Sequence, residues 1–226
     1  YDSRIFNNPP FLATTNIDLD TPVLLVVQTF ALTKKSNMKI VLTGSLGHIS
    51  KPLTEILVQK EHSVTVISSK PERQKDIEAL GAESAIGWID DVSFLTKSFT
   101  GADIVYLMEP PIHFFDFKAD AVKYWTSIAQ SYLQAIQQSG VTKVVHLSSI
   151  GAHTDKNNGM LADHHVVENI LKQLSDDVFI KFMRPVGFYI NMFAFIPTIK
   201  TQNAIVQNYG GDEKEPWVSP LDIAAV

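Results

Sequence analysis

Strand-like and helix-like patterns alternate along the chain from Met38 onward. Short runs of β-branched and other apolar residues are each followed by a stretch in which apolar residues recur every three or four positions. The predicted strands are residues 39–42, 63–68, 84–88, 102–108, 142–147 and 178–182. The predicted helices between them are residues 51–60, 72–80, 91–99 and 119–139. Strands separated by helices of this size form parallel sheets with right-handed crossovers, so we predict an α/β fold, a doubly wound parallel sheet.

The most informative stretch is residues 39–50, with the sequence KIVLTGSLGHIS. A strand, a glycine turn and a helix N-terminus follow one another, and this arrangement binds anions. Gly44 permits the tight turn, Gly47 lets the backbone approach a pyrophosphate, and Ser50 stands where the dinucleotide fingerprint has Gly or Ala. An ordinary turn without a ligand is the alternative. The expected cofactor contacts in this turn are Gly44, Ser45, Leu46, Gly47, His48 and Ile49.

The end of the second strand indicates which dinucleotide fits. An NAD site has Asp or Glu there to accept a hydrogen bond from the ribose 2′-hydroxyl. This chain has Ser68, Ser69 and Lys70 at that position, with Arg73 a turn later. Two hydroxyls and two cations suit a 2′-phosphate. We therefore expect NADP rather than NAD, unless both cations are simply solvated.

The ends of the later strands should complete the site, because ligands of such sheets lie at the carboxyl ends of the strands. Met108, Glu109 and Pro110 follow the fourth strand and are expected to line the far side of the cofactor. Ser148 and Ser149 follow the fifth strand and would lie near the nicotinamide. Both serines are either functional or ordinary turn residues.

Charge and composition exclude several other classes of protein. A net charge of −5 argues against nucleic acid or an anionic membrane as the main partner. The sequence has no cysteine, and therefore no disulfide, thiolate metal site or cysteine nucleophile. The longest apolar run, residues 22–32, is too short to span a bilayer and lacks the flanks of a signal peptide. We expect a cytoplasmic protein with no membrane contact. Its oligomeric state stays open, and a homodimer is one of the states left open.

The first 37 residues have no clear periodicity, whereas Met38 begins the first strand directly. We expect residues 1–37 to be an N-terminal extension or remnant outside the fold, with an added strand over residues 23–30 as the alternative. Residues 38–226 then form one nucleotide-binding domain of ordinary size.

With these residues in place, the chain resembles the NmrA-like group of atypical short-chain dehydrogenase/reductases, which have the Rossmann fold. The resemblance is carried by the stretches VLTGSLGHIS, GWIDDVSFL, VVHLSSIGAH, HHVVENILK, MRPVGFYINMF and PWVSPLDIAAV. The group includes NADP-dependent quinone reductases and regulators that bind the nucleotide without turning it over. Its members often have an acidic residue where Trp88 stands and a Lys where His164 stands. They are usually longer, which implies a small, truncated C-terminal substrate-binding portion in this chain.

The stretch after the last predicted strand has two interpretations. Pro185 breaks the strand pattern beside the expected nicotinamide end, where it would contact the cofactor. By resemblance, the apolar residues that follow flank the substrate pocket, with Phe188 and Asn191 as substrate contacts. By composition alone, this apolar stretch is core.

The wider superfamily uses a Tyr-x-x-x-Lys pair for proton transfer, and no Tyr in this chain has Lys four residues on. Hydride transfer to a quinone depends less on a proton-transfer pair, because conjugation stabilises the oxyanion that forms. His164 could donate the proton with Glu168, one helical turn on, tuning it, or it is a surface His with an intrahelical partner. No metal site is expected, because only two ligands share this face.

We therefore predict an NADP(H)-binding oxidoreductase that transfers hydride to a small quinone-like or aromatic acceptor. His164 and Ser148 are the predicted catalytic residues. The alternative is a non-catalytic NADP-sensing regulator of the NmrA type, which would act through a protein partner. A nucleotide-sugar epimerase or dehydratase would need the missing Tyr and Lys.

Overall fold

The computed structural model describes residues 37–110, 121–206, 214 and 216–226. The expected N-terminal extension and the alternative strand at residues 23–30 lie outside the described residues, apart from Asn37, and stay predictions. None of the described helices combines the length and apolarity needed to cross a membrane.

Six parallel strands form the central sheet, and they are β1 Lys39–Leu42, β2 Ser63–Ser68, β3 Glu83–Ile86, β4 Ile104–Leu107, β5 Lys143–Leu147 and β6 Phe179–Met183. Each strand begins and ends within two residues of its prediction. Their order in the sheet is β3-β2-β1-β4-β5-β6. The chain moves outward from β1 to β3, returns to the other side of β1 and moves outward again from β4 to β6. This topology confirms the predicted doubly wound sheet of the Rossmann type, and its switch point between β1 and β4 is where such sheets bind ligands.

The described part of the chain has seven α-helices and three short 3-10 segments. The helices are α1 Ser50–Gln59, α2 Gln74–Ala79, α3 Val92–Phe99, α4 Ala121–Ser139, α5 Ala162–Leu171, α6 Ile196–Gln202 and α7 Pro220–Ala225. The 3-10 segments are Pro71–Arg73, Gly159–Leu161 and Tyr189–Phe195. A separate parallel pair joins β7, Gly187–Phe188, to β8, Trp217–Val218.

Helices cover both faces of the sheet. On one face, Val105 and Val144 of the strands pack against Ile128 and Tyr132 of α4. On the other face, the strand residues pack in a cluster with Ile77 of α2 and with residues of α1 and α7. Burial on both faces explains why the strands are nearly continuous apolar runs rather than alternating ones.

The apolar stretch after Phe188 is not core, contrary to what its composition predicted. Phe188 packs at the margin of one apolar cluster, but no residue of Tyr189–Phe195 is buried. Tyr189 is 55% exposed and Phe193 is 67% exposed. Val122 of α4 is likewise 48% exposed, six residues before the buried Ile128.

Candidate functional site

The turn between β1 and α1 is built for a close approach of the backbone. Gly44 has φ +91° and Ser45 has φ +53°, so two consecutive residues lie in the left-handed region. The turn is tied to the neighbouring strand, because the Ser45 N–H donates to the carbonyl of Ile67 at 3.1 Å. No side chain caps α1 at Ile49, which leaves the helix N-terminus to an anion.

Gly44 and Ser50 are small because the end of β4 packs tightly against them. A Cβ on Gly44 would lie 2.2 Å from Sδ of Met108 and 2.7 Å from Oγ of Ser50. The buried Ser50 hydroxyl donates to the carbonyl of Thr43 at 3.2 Å and lies 3.4 Å from the same sulfur. Ser50 therefore performs the packing role of the small residue in the dinucleotide fingerprint and also fixes the turn with a hydrogen bond.

A cleft of about 230 Å³ lies between this turn and the carboxyl end of β2. All of its lining residues are ones that the sequence predicted as cofactor contacts. The lining residues are Gly44, Ser45, Leu46, Gly47, Ser68, Ser69, Lys70 and Arg73. His48 and Ile49 belong to the same turn but do not line the cleft, His48 being exposed and Ile49 buried.

The two cations at the cleft mouth are solvent-accessible and suited to an anionic group. Lys70 is exposed, and Arg73 makes only a long 3.4 Å contact with Asp76, in which both side chains are about half exposed. Ser68 is used differently from Ser69, since its buried hydroxyl accepts from the Ser45 hydroxyl at 3.0 Å and from the Lys70 N–H at 3.2 Å. Ser68 therefore shapes the cleft, while the cations give it positive charge. The uncapped helix, the narrow turn and these cations fit a phosphorylated dinucleotide.

On the far side of the switch point, one buried carboxylate connects α5 with the residues that follow β5 and β6. Glu168 of α5 accepts from the Ser148 hydroxyl at 2.7 Å, from Nε of Arg184 at 2.8 Å and from Nη2 of Arg184 at 2.5 Å. Lys172 lies 3.4 Å away. Burial acts to raise the pKa of Glu168, but the hydrogen bonds from Arg184 and Ser148 outweigh it and hold the pKa below its usual value. The hydroxyl proton of Ser148 is therefore committed to Glu168, and its oxygen remains an acceptor.

His164 is held between α5 and α4. Its ring lies 4.8 Å from the ring of Trp125, and its Nδ1 is buried with no hydrogen-bond partner among the described residues. Burial lowers the pKa of His164, with Glu109 acting in the opposite direction, so the ring is neutral at pH 7. Glu168 affects the pKa of His164 only through its charge, because the hydrogen bonds of that carboxylate go to other residues.

A buried Glu109–His146 pair was not found by sequence reasoning. The Nε2 atom of His146 lies 3.1 Å from both carboxylate oxygens of Glu109, and the two side chains are at most 1% exposed. Glu109 is therefore turned toward β5 rather than toward open solvent. A histidine in the middle of the apolar strand Lys143–Leu147 was the one available signal, because a buried imidazole requires a partner.

The remaining predicted residues are Pro110, Ser149 and Pro185, which follow strands of the central sheet, and Phe188 and Asn191, which lie in β7 and in the 3-10 segment after it. The Pro110 carbonyl accepts from Nε1 of Trp125 at 3.1 Å, and the Pro185 carbonyl accepts from the N–H of Ile150 at 2.9 Å. Ser149 is half-buried. Phe188 is half-buried in β7, whereas Asn191 is exposed in the 3-10 segment after it. Within the described residues, no group of three or more His, Asp or Glu side chains could hold a metal ion.

Comparisons with known proteins place this geometry in context. Residues 44–188 match the model of a family described as NAD(P)H-binding. No curated protein sequence matches the chain. The structure is similar to the NADPH-dependent quinone oxidoreductase of Escherichia coli complexed with NADPH, with 20% identity and a TM-score of 0.68 over 82% of this chain and 62% of that one.

Two further structures share the fold at low sequence identity. The triphenylmethane reductase of Citrobacter sp. complexed with NADP(H) is 15% identical, with a TM-score of 0.59 over 73% of this chain and 54% of that one. A nucleoside-diphosphate-sugar epimerase of Staphylococcus aureus is 18% identical, with a TM-score of 0.66 over 83% of this chain and 64% of that one. The chain thus spans less than two thirds of the length of each of these structures.

Proposed function

Because the chain belongs to the family described as NAD(P)H-binding, we propose that it is an NADP(H)-dependent oxidoreductase of the NmrA-like group of atypical short-chain dehydrogenase/reductases. Its substrate is a small quinone-like or aromatic acceptor. The observation that carries the proposal is the cleft lined by the Gly44–Gly47 turn and by Lys70 and Arg73. The quinone oxidoreductase and the triphenylmethane reductase, both similar in fold, support the coenzyme and acceptor class.

The preference for NADP rests on the charge at the end of β2. A ribose 2′-phosphate carries negative charge and several acceptor oxygens, which Lys70 and Arg73 can bind with charge-assisted hydrogen bonds. Neither cation is buried in an ion pair, so both are available to the phosphate. The uncapped N-terminus of α1 would hold the diphosphate.

On the acceptor side, the protein needs to fix the acceptor and stabilise the charge that develops on it. The bound coenzyme supplies a hydride from its nicotinamide ring. His164, neutral at pH 7, can donate a hydrogen bond from a ring N–H to the developing oxyanion and so stabilise it, and water supplies the proton that completes the reduction. Ser148 offers a fixed acceptor oxygen, because its hydroxyl donates to Glu168, and Arg184 in turn holds that carboxylate in place.

Binding and turnover test the proposal separately. Wild-type protein is titrated with NADPH and NADH, and NADPH consumption is then followed with a panel of quinones and triphenylmethane dyes. We expect tighter binding of NADPH and acceptor-dependent oxidation. His164→Ala, which removes the ring N–H, should lower kcat by about 100-fold or more while NADPH affinity is kept. His153→Ala, which changes an exposed histidine, is the matched control and should leave kcat unchanged.

The competing function is a nucleotide-sensing regulator that binds NADP without turning it over. Two observations favour it: the absence of a Tyr-x-x-x-Lys pair and the commitment of the Ser148 proton to Glu168. Tight NADPH binding with no oxidation across the whole panel would establish this alternative. A chain that binds neither nucleotide would contradict both functions.

A further inference from the structure

Arg184 uses only part of its hydrogen-bonding capacity within the protein. A guanidinium carries five N–H donors on three nitrogens. Nε and Nη2 donate to the buried carboxylate of Glu168, whereas Nη1 makes no hydrogen bond to any of the described residues. The Arg184 side chain is 38% exposed, while the Glu168 side chain is fully buried. Glu168 therefore holds the guanidinium plane in one orientation and leaves donors for a ligand.

The backbone around Arg184 is fixed at the carboxyl edge of the sheet, directly after the last residue of β6. The N–H of Ser148 donates to the carbonyl of Met183 at 2.7 Å, and the N–H of Ile150 donates to the carbonyl of Pro185 at 2.9 Å. These two hydrogen bonds lie on either side of Arg184 and hold it beside the residues that follow β5. Ligands of parallel sheets with this topology lie at the same edge.

This position is close to the group that we propose stabilises the oxyanion. His164 precedes Glu168 by four residues on α5, so the two side chains share a face, with their Cβ atoms about 5–6 Å apart. Because Arg184 binds Glu168, its guanidinium lies about one helical turn from His164 along that face. An acceptor ring with its reacting oxygen at His164 can therefore carry a substituent that reaches Arg184.

The charges around Glu168 do not cancel. Lys172 lies 3.4 Å from the carboxylate that Arg184 already binds, so two cations share one negative charge. The hydrogen bond to Glu168 raises the pKa of Arg184, so its guanidinium stays charged. The Lys172 ammonium lies 5.5 Å from the centre of the Phe182 ring, on the protein side of this group. The surplus positive charge favours a ligand with a negative group.

We propose that Arg184 binds an anionic substituent of the acceptor, a carboxylate or a sulfonate, while the reducible ring lies at His164. The inference rests on the oxidoreductase function proposed above and narrows its substrate class to acceptors that carry a negative charge. A guanidinium with free N–H groups binds such oxygens through charge-assisted hydrogen bonds. The substituent does not react, so the contact should lower KM for the acceptor without raising kcat.

The first experiment uses the full wild-type chain at a saturating NADPH concentration. The two acceptors are 1,4-naphthoquinone-2-sulfonate and 1,4-naphthoquinone, which share the reducible ring and differ in the anionic group. We expect a lower KM for the sulfonate, and this KM should rise with ionic strength, because salt screens exposed charges. The KM for the neutral quinone should not depend on salt. This comparison needs no variant and therefore does not depend on whether substitutions at Arg184 fold.

The second experiment changes the guanidinium. Arg184→Gln should raise the KM for the sulfonate by about 10- to 150-fold relative to its effect on the neutral quinone. Arg184→Lys keeps the charge and should recover part of the loss. A purely structural role at Glu168 would instead change the kinetics of both acceptors alike. Lys181→Gln, which removes an exposed cation of β6, is the control and should leave both KM values unchanged.

The inference and the proposed function fail in different ways. A salt-independent KM for the sulfonate in wild type, or equal changes for the two quinones in Arg184→Gln, would each overturn the role of Arg184, while the oxidoreductase proposal would stand. Wild-type protein that oxidises NADPH with neither of these quinones nor any other acceptor of the panel would overturn the proposed function and the inference together.

Discussion

The carboxylate of Glu168 and the guanidinium of Arg184 meet side-on, with Nε donating to one oxygen at 2.8 Å and Nη2 donating to the other at 2.5 Å. Such bidentate pairs are among the stronger hydrogen-bonded contacts in proteins. The carboxylate is fully buried, whereas the Arg184 side chain is 38% exposed. Since Ser148 donates to the same carboxylate, this contact connects α5 to the ends of β5 and β6.

Replacing Glu168 with Gln should lower the free energy of unfolding by about 1.5–3 kcal/mol, the value of hydrogen bonds to a charged group. The amide keeps the shape but presents an NH2 group to the donors of Arg184. Denaturant unfolding measures the change. Glu55→Gln is the control, because the Lys51–Glu55 pair is 3.8 Å long and exposed, and its loss should cost about 1 kcal/mol or less. Equal losses in the two variants would contradict the assignment.

The same contact predicts a pH dependence. The pKa of Glu168 is below its usual value of 4.5 in the folded chain, so the contact contributes its full stability above that value. The contribution is lost as the pH falls through the lowered pKa, where the folded protein also takes up the proton. The difference in unfolding free energy between wild type and Glu168→Gln should therefore shrink below pH 4.5. If the difference in unfolding free energy stays constant down to a pH at which Glu168 is fully protonated, this linkage is refuted.

The double variant Lys70→Ala, Arg73→Ala should lose affinity for NADPH selectively. We expect a loss of about 1.5–3 kcal/mol, as for hydrogen bonds to a charged group, and an unchanged affinity for NADH, which lacks the 2′-phosphate. Calorimetric titration with both nucleotides measures the two affinities. Lys75→Ala removes an exposed cation of α2 that does not line the cleft and serves as the control. An equal loss for both nucleotides would show that the cations do not recognise the phosphate.

Gly44→Ala should destabilise the protein and abolish coenzyme binding, because the new Cβ would meet the Met108 sulfur at 2.2 Å. Gly101→Ala separates crowding from backbone strain. Gly101 also has a positive φ, of 78°, but nothing lies within 4 Å of its Cβ position. The Gly44 variant should therefore lose about 1–3 kcal/mol more than the Gly101 variant, the usual cost of overpacking. Thermal unfolding compares them, and similar losses would mean that the sulfur moves aside freely.

Two buried tyrosines should respond differently to removal of their hydroxyls. The Tyr106 hydroxyl is buried with no hydrogen-bond partner in the described part of the chain, and burial raises its pKa above the usual value. Tyr106→Phe should therefore leave the unfolding free energy unchanged or slightly raise it. Tyr132 donates to the carbonyl of Met108 at 2.7 Å, so Tyr132→Phe should cost about 0.5–1.5 kcal/mol. Denaturant unfolding ranks the two variants, and the reverse order would disprove the hydrogen-bond assignment.

Local sequence pattern was sufficient to predict the sheet. The strand Ser63–Ser68 was predicted without error because it is a run rich in β-branched residues that ends in turn chemistry. The cleft was predictable for a similar reason. Its residues come from two short stretches, the glycine turn and the end of β2, whose positions follow from the topology of any sheet of this kind.

The polar pairs on the acceptor side could not be predicted in this way. His146 and Glu109 are 37 residues apart, and Arg184 and Glu168 are 16 residues apart. Each pairing depends on which faces of strands and helices meet. The tertiary structure sets those contacts, and no local sequence periodicity encodes them. Of the two interpretations of the apolar stretch Tyr189–Phe195, the one from composition, a core segment, is wrong for the same reason, because hydrophobicity alone does not say whether a neighbouring element covers it.

The thioether of Met108, which packs against the glycine turn, makes the coenzyme cleft sensitive to oxidation. The chain has no cysteine, so methionine is the sulfur-containing residue that an oxidant can modify. Met108 is half-buried, and its sulfur lies 3.4 Å from the Ser50 hydroxyl. The contact is so tight that a Cβ added to Gly44 would clash with this sulfur. Conversion to the sulfoxide would add a polar oxygen to this packed contact and push the turn outward. Peroxide would thus act on coenzyme affinity from below the turn, and enzymatic reduction of the sulfoxide would restore it.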